Sequence, residues 1–402
     1  MGISRVIALL AGFASASGFG TAVLAQSEPT RRGLIEQAQA EKVPTLHPYP
    51  VTAGERWANK LEDITVNGGL HWHPFFDSAY RGGGFTLGVG YMHHVSSYNL
   101  IDVRGSYTIK GYKRAEVEFM APRLFQRRGS LSILGGFREA TQVGYFGTGT
   151  NTDVDNRVNY GFEEWYGSAM MTVRPTRRYL TLRGGVERTK WTEQSGQGSY
   201  PSIETAYTPA TLPGLGVDLS YLHSQGTVGF DWRPAEGYAR RGGLYGVTFH
   251  DYKDREDEFG FQQVDYEVVQ HFPILRETWA ISLHGLVQTT FLKGDQEIPY
   301  HMLPSLGGGS NLRGYSSWRF RDRNSLLLQG EWRIMVNRYM DTAFFYDAGK
   351  VTALTEDLNL SGLKHDYGFG VRFHSPLATP LRIELAKSPE GLVLVFASSA
   401  AF

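Results

Sequence analysis

From about residue 61 to its C-terminus the chain alternates apolar and polar residues with the two-residue period of β-strands. In 326–336, Leu326, Leu328, Trp332, Ile334 and Val336 share one parity, while Gln329, Glu331 and Arg333 take the other. Tyr367, Phe369, Val371 and Phe373 alternate with Asp366, Gly368, Gly370, Arg372 and His374. Leu381, Ile383 and Leu385 alternate with Arg382 and Glu384, and Ile101, Val103, Tyr107 and Ile109 oppose Asp102, Arg104, Ser106 and Thr108. A soluble sandwich also alternates, so two further details decide the reading. The polar parity is rich in full charges and glycine, as a broad wet lumen requires. The segments approach the ~9–11 residues that cross a bilayer, whereas soluble strands average about 5–6. The apolar parity carries many tyrosines, tryptophans and phenylalanines, which suit interfacial girdles. The expectation is an all-β fold: a sixteen-stranded antiparallel transmembrane β-barrel over residues 61–402.

Strand-like segments run from 62–74 to 391–402, about sixteen in all, an even number as single-chain bacterial barrels prefer. Eleven precede the stretch 293–324 and five follow it. Connections at 174–178, 272–276 and 337–338 are short, and those at 146–160, 193–218, 293–324 and 352–363 are long. Short turns belong on the periplasmic side and long loops outside. Phe402 continues the parity of Leu392, Leu394 and Phe396, so the last strand is expected to close the barrel with Phe402 on the lipid face. Ser398 and Ala400 weaken that face.

Residues 1–25 read as a secretory signal: Arg5 supplies positive charge, an apolar run follows, and Val23-Leu24-Ala25 suits cleavage. Residues 26–60 are polar and proline-containing, with one short helix expected at 31–41, and read as a short periplasmic extension. Lysine plus arginine equals aspartate plus glutamate at 40 each, which leaves no electrostatic footprint for nucleic acid. The chain has no cysteine, so a disulfide scaffold or thiolate metal site is excluded.

Gly82-Gly83-Gly84 and Gly307-Gly308-Gly309 lack the following helix and Lys-Ser/Thr ending of a phosphate cradle. His71, His73, His93 and His94 lack a supporting third ligand and read as polar wall rather than metal site. The acidic run at 254–258 reads as a solvated hairpin tip, and no G-x-S-x-G occurs. No catalytic, cofactor-binding or metal site is expected, and the chain reads as non-enzymatic.

The stretch 293–324 stands apart. It is far longer than hairpin connections, and Leu303, Leu306, Leu312, Tyr315, Trp318 and Phe320 give it too much apolar surface for disorder. Arg313, Arg319, Arg321 and Arg323 need partners. A loop folded back into the lumen would meet Glu331, Arg333 and Asp347. Parity turns Phe345, Asp347 and Gly349 inward and Phe344, Tyr346 and Ala348 toward lipid.

Gly309-Ser-Asn-Leu-Arg-Gly-Tyr315, Arg319-Phe-Arg-Asp322 and Phe345-Tyr-Asp-Ala-Gly349 resemble the bacterial surface antigen family, the barrel of the BamA/TamA assembly factors and two-partner secretion transporters. Gly368-Phe-Gly-Val-Arg372 and Leu381-Arg-Ile-Glu-Leu385 are similar to that family's final strands. The resemblance covers 306–402 well. It implies a sixth external loop that enters the lumen, with Arg313, Gly314 and Tyr315 as its motif and Arg313 paired to Asp347. Phe345, Gly349 and Glu331 would be the neighbouring wall. It also implies a weak seam between the first and last strands, at which client strands are templated. Residues 26–60 are too short for the periplasmic POTRA domains that receive clients, so a short member lacking them is expected. The function expected is assistance to insertion or translocation of protein or lipid clients in the outer membrane of a Gram-negative bacterium. The alternative is a substrate-specific or porin-like channel. Expected partners are outer-membrane lipids, with β-barrel clients or a periplasmic protein as further candidates; no cofactor is expected.

Overall fold

The computed structural model describes residues 54–57, 59–60, 71–176, 179–275 and 277–402. The expected signal peptide, the helix expected at 31–41 and most of the first expected strand lie outside the described residues. Within the 26–60 extension, 54–57 and 59–60 are helical. Glu55 accepts a hydrogen bond from Arg338 at 2.9 Å.

Sixteen strands form one antiparallel sheet in simple chain order. They are β1 (Trp72–Pro74), β2 (Thr86–His94), β3 (Leu100–Thr108), β4 (Lys113–Leu124), β5 (Gly129–Tyr145), β6 (Val158–Val173), β7 (Leu180–Ser195) and β8 (Leu219–Asp231). The sheet continues with β9 (Gly242–Asp254), β10 (Phe261–Ile274), β11 (Trp279–Leu292), β14 (Asn324–Asn337), β15 (Met340–Thr352), β16 (Lys364–Phe373), β17 (Leu381–Ser388) and β18 (Gly391–Ala397). Inside the long connection from β11 to β14, β12 (Ser305–Leu306) and β13 (Phe320–Arg321) form a separate two-stranded ribbon. Among the described residues β1 and β18 are not hydrogen-bonded to each other, so they are the sheet's two edges.

The two faces carry opposite chemistry, inverted relative to a soluble protein. Outward residues are apolar and exposed: Leu87, Val103, Val117, Trp165, Val228, Phe249, Phe344, Phe369 and Leu394 all belong to this band. Contiguous apolar exposure on this scale marks a lipid-facing surface. Inward residues are charged and paired. Arg104 on β3 reaches Asp102 at 3.1 Å, Glu116 at 2.8 Å and Glu118 at 2.7 Å. Arg138 on β5 pairs with Glu164 on β6, and His73 meets Asp102 at 2.8 Å. At two places the register itself sets an opposite-charge pair, Arg104 opposite Glu116 and Arg138 opposite Glu164; elsewhere it sets like charges together, Asp347 opposite Asp366 and Arg372 opposite Arg382.

The long connections are packed, not merely exposed. Connections 196–218 and 293–304 bring Ile203, Leu212, Leu215 and Tyr300 into one apolar core with Tyr145, Tyr160, Phe162 and Trp191 of the wall. This core packs the long loops against the inward face of the wall.

The last strand departs from expectation. It ends at Ala397, and Phe402 lies neither in it nor on the lipid face. The Phe402 ring instead stacks on His284 of β11 at 5.1 Å and lies 6.3 Å from His271 of β10. The cause is local. Ser398, Ser399, Ala400 and Ala401 offer lipid nothing large and apolar, and inward-facing Arg382 donates from Nε to the Ser399 carbonyl at 2.7 Å, drawing the tail inside.

Outward and inward positions should respond differently to substitution. Phe369→Arg, on the apolar band, is expected to lower unfolding free energy by ~2–4 kcal/mol in denaturant titration of the bilayer-embedded protein. Thr227→Ser, on the inner wall, should stay within about 0.5 kcal/mol.

Candidate functional site

The connection 293–323 enters the barrel and makes its densest polar contacts around one side chain. Arg313 is fully buried. Its Nε and Nη2 donate to Asp347 Oδ2 and Oδ1 of β15, both at 2.7 Å, a bidentate fork. Nη1 donates to Glu331 of β14 at 2.7 Å and to Glu384 of β17 at 3.3 Å. The guanidinium carbon sits 3.6 Å from the centre of the Phe345 ring, so the arginine is held at its edge by carboxylates and on its face by an aromatic. Burial acts against the charge, but Asp347, then Glu331 and Glu384, hold the guanidinium well above the usual arginine value.

The partners are themselves held. Arg372 of β16 binds both oxygens of Glu331 and reaches Glu384 at 2.9 Å. Arg382 of β17 donates to the other oxygen of Glu384 at 2.7 Å. Gln329 donates to Asp347 at 3.1 Å and to the loop carbonyl of Asn311 at 2.9 Å. The alternation at 366–374 and 381–385 already turns Arg372, Arg382 and Glu384 inward; their meeting with Arg313 depends on diagonal proximity across four strands, which one-dimensional parity does not encode. Arg333 is not part of this cluster. It faces the short-turn end, donating to Ser282 at 2.9 Å and to the Ala239 carbonyl.

Glycines permit the close approach. A Cβ at Gly314 would lie 2.6 Å from Cβ of Asp366 and 3.1 Å from that of Ser388, and the Ser388 hydroxyl donates to the Gly314 carbonyl at 2.7 Å. A Cβ at Gly349 would meet the Leu326 carbonyl at 2.7 Å and Leu306 at 2.9 Å. Tyr315 is buried with Leu306, Leu312, Phe320, Leu327 and Val351, and its hydroxyl donates to the His365 carbonyl at 3.2 Å. Phe402 has no contact with this cluster; it belongs to the wall around His284.

The other loop arginines bind elsewhere. Arg321 is fully buried, donating to the Tyr160 hydroxyl at 2.9 Å and the His301 carbonyl at 3.1 Å. Burial, then the charge of Arg321, pushes His301 down to about 3, so its ring is neutral. Arg319 reaches Glu390 of the β17–β18 hairpin at 2.9 Å and both Thr152 oxygens at 2.6–2.7 Å. Trp318 adopts φ +64°, unusual for a bulky residue, and is fixed on every side. Its Nε1 donates to the Arg81 carbonyl at 2.9 Å, Tyr80 stacks on it at 4.5 Å, and the Arg81 guanidinium lies 3.8 Å from its ring centre. Tyr80 and Arg81 belong to the connection from β1 to β2. At its other end the loop touches the final strands, where Arg382 donates to the Gly309 carbonyl at 3.2 Å and Gly309 abuts Val395 of β18. One loop therefore contacts both sides of the seam.

This architecture has known relatives. The sequence pattern of the Omp85 superfamily domain matches residues 98–391. The chain belongs to the Omp85 superfamily. That membership bears out the resemblance read at 306–402 and extends it over strands that parity alone had suggested. Among solved structures, BamA from Haemophilus ducreyi lacking POTRA domains 1–3 superposes with a TM-score of 0.57 at 13% identity, covering 82% of this chain and 68% of that one. CdiB from Escherichia coli superposes with a TM-score of 0.54 at 11% identity, covering 81% of this chain and 59% of that one. At such identities the likeness is one of fold. No curated protein matches the sequence.

Removing Arg313 leaves Asp347 buried with the neutral Gln329 as its donor, whereas removing Asp347 leaves Arg313 its Glu331 and Glu384 partners. Arg313→Ala is expected to cost about 3–5 kcal/mol, and Asp347→Ala less, read as a lower temperature for loss of heat-modifiable gel migration and as new protease sensitivity within 293–323. Gly314→Ala should destabilise the loop in the same assay, because Asp366 and Ser388 occupy the space its methyl needs.

Proposed function

We propose that this Omp85 barrel works at its seam, as a non-enzymatic factor of the outer membrane of a Gram-negative bacterium that assists insertion or translocation of protein clients. The observation that carries the reading is the contrast between a blocked lumen and an unjoined sheet edge. The lumen holds a loop locked by a buried ion cluster and is roofed by packed external loops. The edges β1 and β18 share no backbone hydrogen bonds among the described residues. A free strand edge is a template on which an incoming strand adds by backbone hydrogen bonding. After Ala397 the chain turns inward and the strand ends. The short turns face the periplasm in this placement, and Glu55 against Arg338 puts the preceding segment at that mouth.

The competing reading, a porin-like channel, predicts steady large conductance. In planar bilayers the native protein is expected to be mostly closed, and Arg313→Ala to open larger and noisier steps; a native protein with a stable large conductance would sink the seam reading. Since the chain lacks cysteine, a photocrosslinker at Leu394 of β18 or Trp72 of β1 reports contacts at the edge without interference. Capture of β-strand-rich polypeptides in native membranes at these positions, and not at Val228 on the far wall, is the expected result.

A further inference from the structure

The short-turn rim is studded with arginines, and most have acidic partners. Arg233 pairs with Asp231 at 3.0 Å, Arg241 with Glu277 at 3.3 Å, and Arg338 with Glu55 at 2.9 Å. The β4–β5 turn is the exception. Arg123, Arg127 and Arg128 lie there within six residues, and none has a carboxylate within ion-pairing distance among the described residues. Arg127 and Arg128 are exposed, as is Arg123, whose guanidinium lies 4.0 Å over the exposed ring of Tyr98 on the neighbouring turn. The Arg128 carbonyl accepts from the backbone N–H of Arg174 at 2.6 Å, and the Arg174 side chain is paired with Glu236 at 2.7 Å.

The backbone holds this presentation at a cost. Phe125, Gln126 and Arg127 have φ of 49°, 58° and 69°, three successive non-glycine residues in the left-handed region. The resulting turn is closed by the Arg128 N–H donating to the Leu124 carbonyl at 3.0 Å. It leaves Phe125 59% exposed at its tip, with the arginines beside it. An exposed phenylalanine flanked by unpaired guanidinium groups fits the boundary where acyl chains meet phosphates: the ring enters the apolar layer and the cations meet the headgroups.

We infer that the β4–β5 turn is a docking site for anionic phospholipid headgroups, formed by Arg123, Arg127 and Arg128 around Phe125. The inference rests on the membrane placement given above. Phosphatidylglycerol, with one net negative phosphate exposed, is the probe. Bound to this turn it anchors one side of the rim, the side carrying β2 to β7, to the leaflet on the short-turn side.

The test uses the full chain in zwitterionic detergent, first shown to be a heat-modifiable barrel, then titrated with phosphatidylglycerol or phosphatidylcholine and read by native mass spectrometry. The native protein is expected to retain phosphatidylglycerol about tenfold or more over phosphatidylcholine, since each arginine near an anionic headgroup contributes about fivefold. The preference should collapse in about 0.5 M salt. It should also collapse in the triple Arg123→Gln, Arg127→Gln, Arg128→Gln variant and persist in the corresponding triple lysine variant. Equal retention of both lipids by the folded native protein overturns the proposal, as does an undiminished preference in the folded glutamine variant. Full displacement by soluble glycerol phosphate overturns it too, because the site would then be one for a free anion. A chain that shows no heat-modifiable barrel counts against the membrane placement and removes this proposal with it.

Discussion

The buried guanidinium of Arg313 is the constraint on which the interior is built. An arginine placed in a loop and removed from water is strongly destabilising unless its charge and its donors are met together. Here Asp347 takes the fork, Glu331 and Glu384 take the remaining edge, and Phe345 covers a face. These groups come from β14, β15 and β17, with Arg372 of β16 tying two of them together. Four neighbouring strands must therefore keep one register and one curvature for the cluster to exist. Gly314 and Gly349 follow from the same demand, because the loop backbone and its apolar ribbon must lie against the wall at distances a Cβ would forbid.

Much of this was legible in the sequence, and the reason is geometric. A barrel strand faces lipid on one side and a polar lumen on the other, so every strand writes its orientation into a two-residue pattern. That pattern alone locates eleven strands before the long loop and five after it, and it turns Asp347 and Glu331 inward. It fails where structure depends on contacts between distant segments. Arg372, Arg382 and Glu384 are visibly inward, but their joining with Arg313 requires knowing which inward residues lie diagonally close. Ile203, Leu212, Leu215 and Tyr300 sit in connections whose sequence shows no period, and their common core appears only when the loops are folded together. Phe402 misled because parity counts residues and ignores where the strand stops; four small residues and one arginine redirect it.

The fold also separates two properties that a pore would combine. A conducting barrel needs a strong seam and an open interior. This one has an occupied interior and a seam without backbone pairing among the described residues. The buried ion pairs of the loop are concentrated on the wall from β14 to β17. Such uneven distribution of stability is what local opening requires, since the segments that move must be drawn from the weakly held end.

The stack of Trp318 on Tyr80 and Arg81 gives that unevenness a mechanical meaning. The first and last strands are fastened through a third body, whose far end is anchored by the arginine cluster and the contact at Val395. A sheet edge zipped by backbone bonds resists parting in proportion to its length, whatever its side chains. An edge fastened through the side chains of one loop resists by the amount that those few contacts supply. Here those contacts are the Trp318 ring on Tyr80 and Arg81 and the Arg81 donation to Ser305 at 3.1 Å, so the tie between the first connection and the last strands is written in side chains and can change without rewriting any strand.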